Sequence, residues 1–345
     1  MTNPSLKLAV IVLNWNDFDE TCTCVESVLK SDYAQYEIFL VDNNSSDGSS
    51  VKLRDKFPQV TFIQNKENLG FTGGNNIAIK KALYKGFDYF WLLNNDTVIE
   101  NNCISALMDA AQQDTTVGLL TPLVYNFPQK SVLQHVGCYL NSDKVSIKNI
   151  PDVAEYLNVQ DKYPVCLWGT ALFIKKFVID AVGLLDDKYF AYDEDIDYSL
   201  RAIKAGYKCQ VVVNTKVYHK NNIDLKGTKE RKDHYFYYMA RNDFRLFVSQ
   251  VKGLGRIPVI QKQVSQTIEK AVYYKEMQCT EAMNATLDGL YDAISNRSGA
   301  WDRKHHCPKF LKNIIMSHPY FISDLVNFRF NIILSGIFKR IKHST

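Results

Sequence analysis

Short apolar segments and helical patterns alternate along the first part of the chain. Apolar runs at residues 8–13, 37–41, 60–63 and 90–93 are typical of buried strands. The segments between them carry apolar residues at helical spacing, such as Ile79, Ala82 and Leu83. This alternation predicts an α/β fold with a mostly parallel central sheet and helices on both faces.

Polar residues stand where several of these strands end. Asn14 follows the first strand, Asp42 the second, and Asn94, Asn95 and Asp96 follow the fourth. In an open α/β sheet such strand ends line one crevice, where ligands bind. A carboxylate beside two amide oxygens suits a hard divalent cation that also holds a phosphate. The alternative is a polar loop after a core strand.

The glycine-rich segment at residues 68–76 opens the third helix. It matches neither the dinucleotide-binding fingerprint nor a Walker loop. Gly73 and Gly74 allow close backbone approach to a ligand and leave amide N–H groups free for an anion. A plain tight turn is the alternative reading of these glycines.

Four carboxylates, Asp193, Glu194, Asp195 and Asp197, are crowded into five residues. Like charges this close repel one another, so one carboxyl can have a raised pKa and act as a general base. Helix capping is the alternative for Asp193 and Glu194. Helical geometry places Asp195 and Asp197 on different faces, so they cannot do the same job. His219 follows a later strand and is a candidate metal ligand, although a hydrogen-bonded surface histidine is the commoner case.

Length and cysteine content bound the class of protein. The 345 residues suffice for one large domain with an appendage or for two domains. The eight cysteines include no CxxC pair, and the N-terminus lacks a secretory pattern. We therefore expect reduced thiols, a cytoplasmic location and, without a run of about 20 apolar residues, no spanning helix.

Two segments depart from the strand–helix pattern. Residues 125–163 are polar and interrupted by prolines, which predicts a mobile lid with a hairpin near residues 136–147. The tail from residue 301 mixes basic and apolar residues: Lys304, Lys309, Lys312, Phe321, Leu325, Phe328, Arg329, Ile337, Lys339, Arg340 and Lys342. It predicts either a packed helical subdomain or an amphipathic surface on the inner membrane. No recognised nucleic-acid module accompanies it.

An ordered set of motifs resembles a known family. The set comprises the segments at residues 14–16, 41–49, 68–76, 92–97, 168–171, 192–197 and 217–219. Together they resemble the family 2 glycosyltransferases, especially the rhamnosyltransferase-like branch that builds bacterial surface polysaccharides. The resemblance implies a GT-A domain over residues 1–250, followed by a helical C-terminal region over residues 251–345.

The resemblance also implies roles for individual residues. Asp195 corresponds to the catalytic base, and Glu194 supports it or touches the acceptor. Asp96 and His219 correspond to ligands of Mn²⁺ or Mg²⁺, while Asn94 departs from the acidic pattern of the family. The implied donor site contains Asn14, Asp42, Asn43, Gly73, Asn75, Asn76, Asn94, Asn95 and Asp96, and the implied acceptor wall contains Trp168, Gly169 and Glu194.

The implied reaction is an inverting sugar transfer. The donor is a nucleoside-diphosphate sugar, either dTDP-rhamnose or a UDP-sugar, and the acceptor is a saccharide or a lipid-linked saccharide. The implied location is cytoplasmic, with peripheral contact at the inner membrane as an option. Two alternatives remain open: a nucleotidyltransferase, and a non-catalytic nucleotide-sugar-binding protein. The first loop lacks a basic phosphate-binding signature, which argues against a nucleotidyltransferase. Asp96, Asp195 and His219 occur together, which argues against a non-catalytic binding protein.

Overall fold

The computed structural model describes residues 6–141, 145–220 and 230–319. The chain forms two compact units. The first, here called the sheet unit, spans residues 1–142 and 146–223, and the second, the helical unit, spans residues 143–145 and 224–345. The boundary at residue 250 and the membrane contact of the C-terminal region stay predictions.

The sheet unit alternates strands and helices along most of its length. Its strands are β1 (Leu8–Asn14), β2 (Tyr36–Asp42), β3 (Thr61–Gln64), β4 (Tyr89–Asn94), β5 (Thr97–Ile99), β6 (Val117–Asn126), β7 (Leu133–His135), β8 (Gly137–Asn141), β9 (Ser146–Ile150), β10 (Ala171–Lys175) and β11 (Lys208–His219). Its helices are α1 (Phe18–Val28), α2 (Ser49–Lys56), α3 (Gly70–Tyr84), α4 (Cys103–Gln113), α5 (Val153–Val159), α6 (Lys176–Val182) and α7 (Glu194–Lys204).

The central sheet has the strand order β3-β2-β1-β4-β10-β6-β11-β5, with β7 paired to β6. Strands β1 to β4 are parallel, and β6 and β11 run in the same direction, whereas β10 lies antiparallel between β4 and β6. The predicted, mostly parallel sheet is therefore confirmed. One edge of this sheet, here called the site edge, collects the ends of β1, β2, β4, β6 and β11 together with the start of β10.

Apolar side chains fill both faces of the sheet. Trp91 and Phe173 pack on one face, whereas Phe39, Phe90 and Leu92 pack on the other, and all five are fully buried. Burial on both faces explains why the strands are continuous apolar runs without polar alternation. The strand ends are then the places where polar side chains of these strands can reach a ligand.

The segment at residues 125–163 contains the predicted hairpin. Strands β8 and β9 pair antiparallel, from Gly137 opposite Ile150 to Asn141 opposite Ser146. The role of this segment as a lid stays a prediction. A second expectation needs correction: the two short segments predicted at residues 211–213 and 217–219 form one strand, β11, which has a register shift between Val212 and Lys216.

The helical unit contains α8 (Asp233–Ser249), α9 (Arg256–Glu276), α10 (Thr280–Ile294) and α11 (Lys309–Ser317). The described part of the chain has no helix that is both long and apolar enough to cross a bilayer. The basic and apolar tail residues beyond 319, namely Phe321, Leu325, Phe328, Arg329, Ile337, Lys339, Arg340 and Lys342, lie outside the described residues.

A fully buried arginine organises the helical unit. The guanidinium of Arg241 lies over the rings of Tyr237 and Tyr238, at 5.3 and 4.9 Å, and its Nη1 donates to the carbonyl of Gly299 at 2.7 Å. Tyr237 stacks in turn on Trp301, with ring centroids 4.6 Å apart. The tyrosine-rich segment of α8 is therefore a packing centre of this unit.

Replacing Arg241 with methionine tests this packing centre. The variant keeps an apolar stem but removes the donor to Gly299 and the charge over the two tyrosines. We expect the free energy of unfolding, measured by urea denaturation, to fall by roughly 2–3 kcal/mol. The matched change Arg256→Met, at an exposed position of α9, should leave stability nearly unchanged. Equal losses in both variants would contradict the role of Arg241.

Candidate active site

The predicted convergence of polar strand ends is present in the structure. Asn14 and Asp42 are paired in register on β1 and β2, and Asn14 Nδ2 donates to Asp42 Oδ1 at 2.7 Å. The other carboxylate oxygen, Oδ2, accepts from the Ser45 amide at 2.9 Å and from Gln64 Nε2 at 2.8 Å. Asp42 is therefore buried in a defined orientation beside the amide of Gln64, which is exposed.

A relay of hydrogen bonds connects this pair to the end of β4. Asn95 Nδ2 donates to Thr21 Oγ1 at 2.9 Å, and Thr21 Oγ1 donates to Asn14 Oδ1 at 2.7 Å. The backbone amide of Asn94 donates to the carbonyl of Thr170 at 3.0 Å, which joins the same turn to the start of β10. The amide side chain of Asn95 thus supports the geometry of the site edge.

The first amides of α3 are not free to bind an anion, whereas the anion-binding role of the Gly73 and Gly74 amides stays a prediction. Helix α3 begins at Gly70, whose N–H donates to Asn68 Oδ1 at 2.8 Å, and the amides of Phe71 and Thr72 both donate to the carbonyl of Phe190. These first N–H groups of the helix already have acceptors, so they cannot bind an anion without losing those partners.

The glycines of α3 serve close packing. A Cβ atom at Gly74 would lie 2.5 Å from Leu13 Cδ1, and one at Gly73 would lie 2.7 Å from Leu69 Cβ. The missing side chain at Gly74 therefore lets α3 lie close to Leu13 of β1, and the missing side chain at Gly73 leaves room for Leu69 just before the helix. A role of Gly73 in donor binding stays a prediction.

Three asparagines assigned to the donor site are buried and use their amides within the protein. Asn43 Oδ1 accepts from the Leu69 amide at 3.1 Å, and Asn75 Nδ2 donates to the Phe71 carbonyl at 2.8 Å. Asn76 Nδ2 donates to the Leu185 carbonyl at 2.9 Å. These bonds hold α3 and the segments beside it in place, while direct contact with a donor stays a prediction.

The predicted metal ligands meet at the site edge. His219 ends β11, opposite Thr97 of β5 and Asn126 of β6, and its Nε2 lies 3.1 Å from Asp96 Oδ1. Both side chains are largely buried, with 10% and 17% of their surface exposed. The Lys220 amide donates to the Asp96 carbonyl at 2.9 Å, which fixes the aspartate next to the histidine.

The Asp96–His219 pair fits a divalent cation. Two ligands at right angles around an octahedral ion, each about 2.1 Å from it, lie about 3 Å apart, and the two atoms here are 3.1 Å apart. Within residues 6–141, 145–220 and 230–319, no group of three or more His, Cys, Asp or Glu side chains is placed to hold a metal. A cation held by this pair has room for further oxygen ligands, such as those of a bound phosphate or of water.

Asp195 is held at the start of α7 by two backbone amides. Its Oδ2 accepts from Gly169 N at 2.6 Å, and its Oδ1 accepts from its neighbour Ile196 N at 2.8 Å. Burial raises the pKa of Asp195 to about 6, although both backbone hydrogen bonds act to lower it. A Cβ at Gly169 would lie 3.2 Å from Asp195 Oδ2, so glycine at this position allows the close approach.

Glu194 and Asp197 occupy different environments from Asp195. Burial and the neighbouring charge of Asp195 raise the pKa of Glu194 well above its usual value, and Glu194 Oε2 has no hydrogen-bond partner among the residues that the structure describes. Asp197 Oδ2 accepts from Arg201 Nε at 2.7 Å. Asp195 and Asp197 therefore have different partners, as helical geometry predicts, while their separate roles stay predictions.

Asp193 occupies the N-cap position of α7, as the capping alternative predicts, but its side chain does not cap the helix. Asp193 precedes α7 with φ of 65° and makes no side-chain cap hydrogen bond. Phe190 and Tyr192 also have positive φ, of 65° and 70°. Left-handed backbone at three non-glycine residues is costly, and such strain is concentrated at functional sites.

The predicted acceptor wall adjoins two residues that the sequence did not reveal. The ring of Trp168 lies 5.8 Å from that of His135, whose Nε2 is 3.4 Å from Thr170 Oγ1. Gln134 Oε1 is 2.8 Å from His219 Nδ1. Burial and the nearby His219 lower the pKa of His135 to about 3, so this imidazole is neutral at physiological pH. Both residues come from β7, a strand of three residues too short to be recognised from periodicity.

Backbone hydrogen bonds of Gly169 and Thr170, the two residues before β10, link Asp195 to the turn that carries Asp96. Gly169 donates its amide to Asp195, and Thr170 accepts from Asn94, two residues before Asp96. The structure therefore brings Asp195, Asp96 and His219 to the same edge of the sheet.

Comparison with known proteins agrees with this geometry. The family profile described as Glycosyl transferase family 2 matches residues 9–182. The chain is 27% identical over 202 residues to an N-acetylglucosaminyl-diphospho-decaprenol L-rhamnosyltransferase of Mycobacterium tuberculosis, covering 53% of this chain and 66% of that protein, just under two thirds of its length. It is 22% identical over 314 residues to a low-salt glycan biosynthesis hexosyltransferase of Haloferax volcanii, covering 86% of this chain and 94% of that protein.

Solved structures share the fold. The crystal structure of GalNAc-T7 with UDP, GalNAc and Mn²⁺ matches with a TM-score of 0.55 at 16% identity, covering 85% of this chain and 58% of that chain. Similarity at this identity concerns the fold alone. The predicted GT-A fold is confirmed.

The buried carboxyl of Glu194 gives a stability test of the site. Its pKa is raised in the folded protein, so its stabilising contribution is complete at acid pH and is lost as pH rises through the raised value. Glu194→Gln cannot ionise, so its melting temperature should exceed that of the natural protein by an amount that grows between pH 5 and pH 8, reaching at least about 2 °C.

The exposed Glu67 provides the matched control for this test. Glu67→Gln should follow the pH dependence of the natural protein at every pH measured. A melting-temperature difference between Glu194→Gln and the natural protein that stays constant with pH would mean that Glu194 ionises normally.

Proposed function

This chain belongs to glycosyl transferase family 2, and on that premise we propose that it is an inverting glycosyltransferase. It moves a sugar from a nucleoside-diphosphate sugar to a hydroxyl of a saccharide acceptor. The observation that carries the proposal is the placement of a buried, oriented carboxylate, Asp195, on the same edge of the sheet as the Asp96–His219 pair. A base on one side and a diphosphate site on the other are what a single displacement needs.

Asp195 acts as the general base. The amides of Gly169 and Ile196 each occupy a lone pair of one carboxylate oxygen, so the group is held in place while other lone pairs remain for the acceptor hydroxyl. Its pKa of about 6 keeps it ionised at neutral pH and more basic than an ordinary aspartate. As the acceptor oxygen attacks the anomeric carbon, its proton passes to Asp195 and the bond from that carbon to the diphosphate breaks, which inverts the configuration.

Asp96 and His219 form the cation site of the proposed enzyme. A bound Mn²⁺ or Mg²⁺ supplies charge neutralisation for the departing diphosphate. One carboxylate oxygen and one imidazole nitrogen form a mixed set of metal ligands, which favours Mn²⁺ and can also bind Mg²⁺. The crystal structure of GalNAc-T7, which has a similar fold, contains UDP and Mn²⁺ together, and this supports the proposal.

The ends of β1, β2 and β3 form the donor side. We assign Asp42 to the nucleobase and ribose, with the exposed amide of Gln64 beside it. Asn14 and Asn95 hold the polar network, and Asn94 lies between that network and Asp96. Asn43, Gly73, Asn75 and Asn76 contribute through the position of α3.

The relatives suggest the substrates. One is named for rhamnosyl transfer to a lipid-diphosphate-linked N-acetylglucosamine, and this supports dTDP-rhamnose as donor, with a UDP-sugar as the other option, and a saccharide or lipid-linked saccharide as acceptor. Trp168, Gly169 and Glu194 stand at the acceptor side, next to the base. A cytoplasmic location with peripheral contact at the inner membrane is part of the proposal, and the tail residues that would make that contact lie beyond residue 319.

The role of Asp195 has two kinetic consequences. The base must be ionised, so kcat/KM should rise with pH up to about pH 6 and level off above it, because burial raises the pKa of Asp195 to about 6. Asp195→Asn should lower kcat by roughly two orders of magnitude or more, while UDP or dTDP still raises its melting temperature as in the natural protein.

A carboxylate outside the site controls for the substitution itself. Asp161→Asn, at an exposed position after α5, should leave both turnover and the pH profile unchanged. Undiminished turnover in Asp195→Asn would remove Asp195 from the role of base.

Asp96→Ala tests the cation site separately. Loss of the carboxylate leaves His219 as the single protein ligand of the pair, so we expect Mn²⁺-dependent nucleotide binding, measured by calorimetry with and without EDTA, to weaken at least tenfold. Asp109→Ala, exposed on α4, serves as control. An unchanged Mn²⁺ titration in Asp96→Ala would refute the assignment.

A further inference from the structure

Strand β7 carries an irregularity next to the cation site. It pairs antiparallel with β6, with His135 opposite Val124 and Leu133 opposite Tyr125, so Gln134 is an extra residue in the ladder. Successive side chains of a regular strand point to opposite faces, and a bulge changes this alternation. Both Gln134 and His135 reach the site edge, Gln134 toward His219 and His135 toward Thr170.

The hydrogen bond from His219 to Gln134 determines which imidazole nitrogen carries the proton. Gln134 Oε1 is an acceptor only, so His219 Nδ1, at 2.8 Å, must be the donor. In the singly protonated form of His219, this leaves the lone pair of Nε2 facing Asp96 Oδ1, 3.1 Å away. Two acceptors at this distance repel each other unless a proton or a cation lies between them.

We propose that Gln134 is a positioning residue for the cation site: it accepts the Nδ1 proton of His219 and thereby keeps Nε2 as the metal-binding nitrogen. This inference rests on the proposed function, because it assumes that Asp96 and His219 bind a divalent cation. Metal-binding histidines commonly donate their second nitrogen to an oxygen that fixes the tautomer and the ring orientation. Gln134 supplies that oxygen from a bulge.

Three variants separate the hydrogen bond from general packing. Gln134→Leu keeps the approximate size and removes the acceptor, whereas Gln134→Glu keeps an oxygen that accepts from Nδ1. Gln129→Leu makes the same change as the first variant at an exposed glutamine of the preceding loop. Mn²⁺ affinity in the presence of UDP or dTDP, measured on the full chain by electron paramagnetic resonance, is the first readout.

We expect Gln134→Leu to weaken Mn²⁺ binding about tenfold or more, and Gln134→Glu and Gln129→Leu to retain it within about twofold. The second readout is ¹⁵N resonance of labelled histidines in metal-free protein. It should show His219 protonated on Nδ1 in the natural protein and in Gln134→Glu, and should show loss of this preference in Gln134→Leu.

The outcomes distinguish this inference from the proposed function. If the natural protein binds no Mn²⁺ with either UDP or dTDP, the proposed cation site fails and the inference fails with it. If the natural protein binds Mn²⁺ and Gln134→Leu binds it equally well, or if the His219 tautomer is the same in both, the inference alone is overturned. Should Gln134→Leu not fold, weakened Mn²⁺ binding in Gln134→Glu would overturn it, because that variant keeps the acceptor.

Discussion

The hydrogen bond from the Gly169 amide to Asp195 is the contact on which the geometry of this site depends. It joins the first turn of α7 to the segment before β10, and the next residue along, Thr170, accepts from the end of β4. A Cβ atom at position 169 would lie 3.2 Å from the carboxylate oxygen, so glycine favours this close contact. The same amide that orients the carboxylate also lowers its pKa, while burial raises it further than the hydrogen bonds lower it. The result is a fixed carboxyl group with a pKa of about 6.

Most polar side chains of the site edge are engaged with one another. Asp42, Asn14, Thr21 and Asn95 form a continuous relay, and the buried asparagines of the glycine-rich region hold backbone segments. Buried polar groups are stable only when they are hydrogen-bonded, and a fully connected set also specifies one geometry. The asparagine-rich motifs therefore build the scaffold of the site edge, where Asp96, His219 and Asp195, the groups of the proposed chemistry, also lie.

Much of this arrangement is readable from sequence because it follows from the α/β pattern. Alternating apolar runs predict the parallel strands, and the polar residues after them predict side chains that meet at one edge, as the hydrogen bond between Asn14 and Asp42 confirms. Other features depend on distant contacts that leave no local pattern. The acceptor for the first amides of α3 is the carbonyl of Phe190, far along the chain, so the glycine segment looks like an anion site when read alone. Gln134 and His135 belong to a three-residue bulged strand, whose position is set by β6 and not by periodicity.

The contact between Phe190 and the start of α3 ties two parts of the enzyme that the chain keeps well apart. A Cβ atom at Gly70 would lie 2.4 Å from the Phe190 oxygen, and the left-handed residues that follow Phe190 lead directly into the helix carrying Asp195. Helix α3 and helix α7 therefore share one backbone junction. A chimaera between relatives that exchanges the start of α3 therefore also has to exchange the segment from Phe190 into α7, and the same holds in reverse.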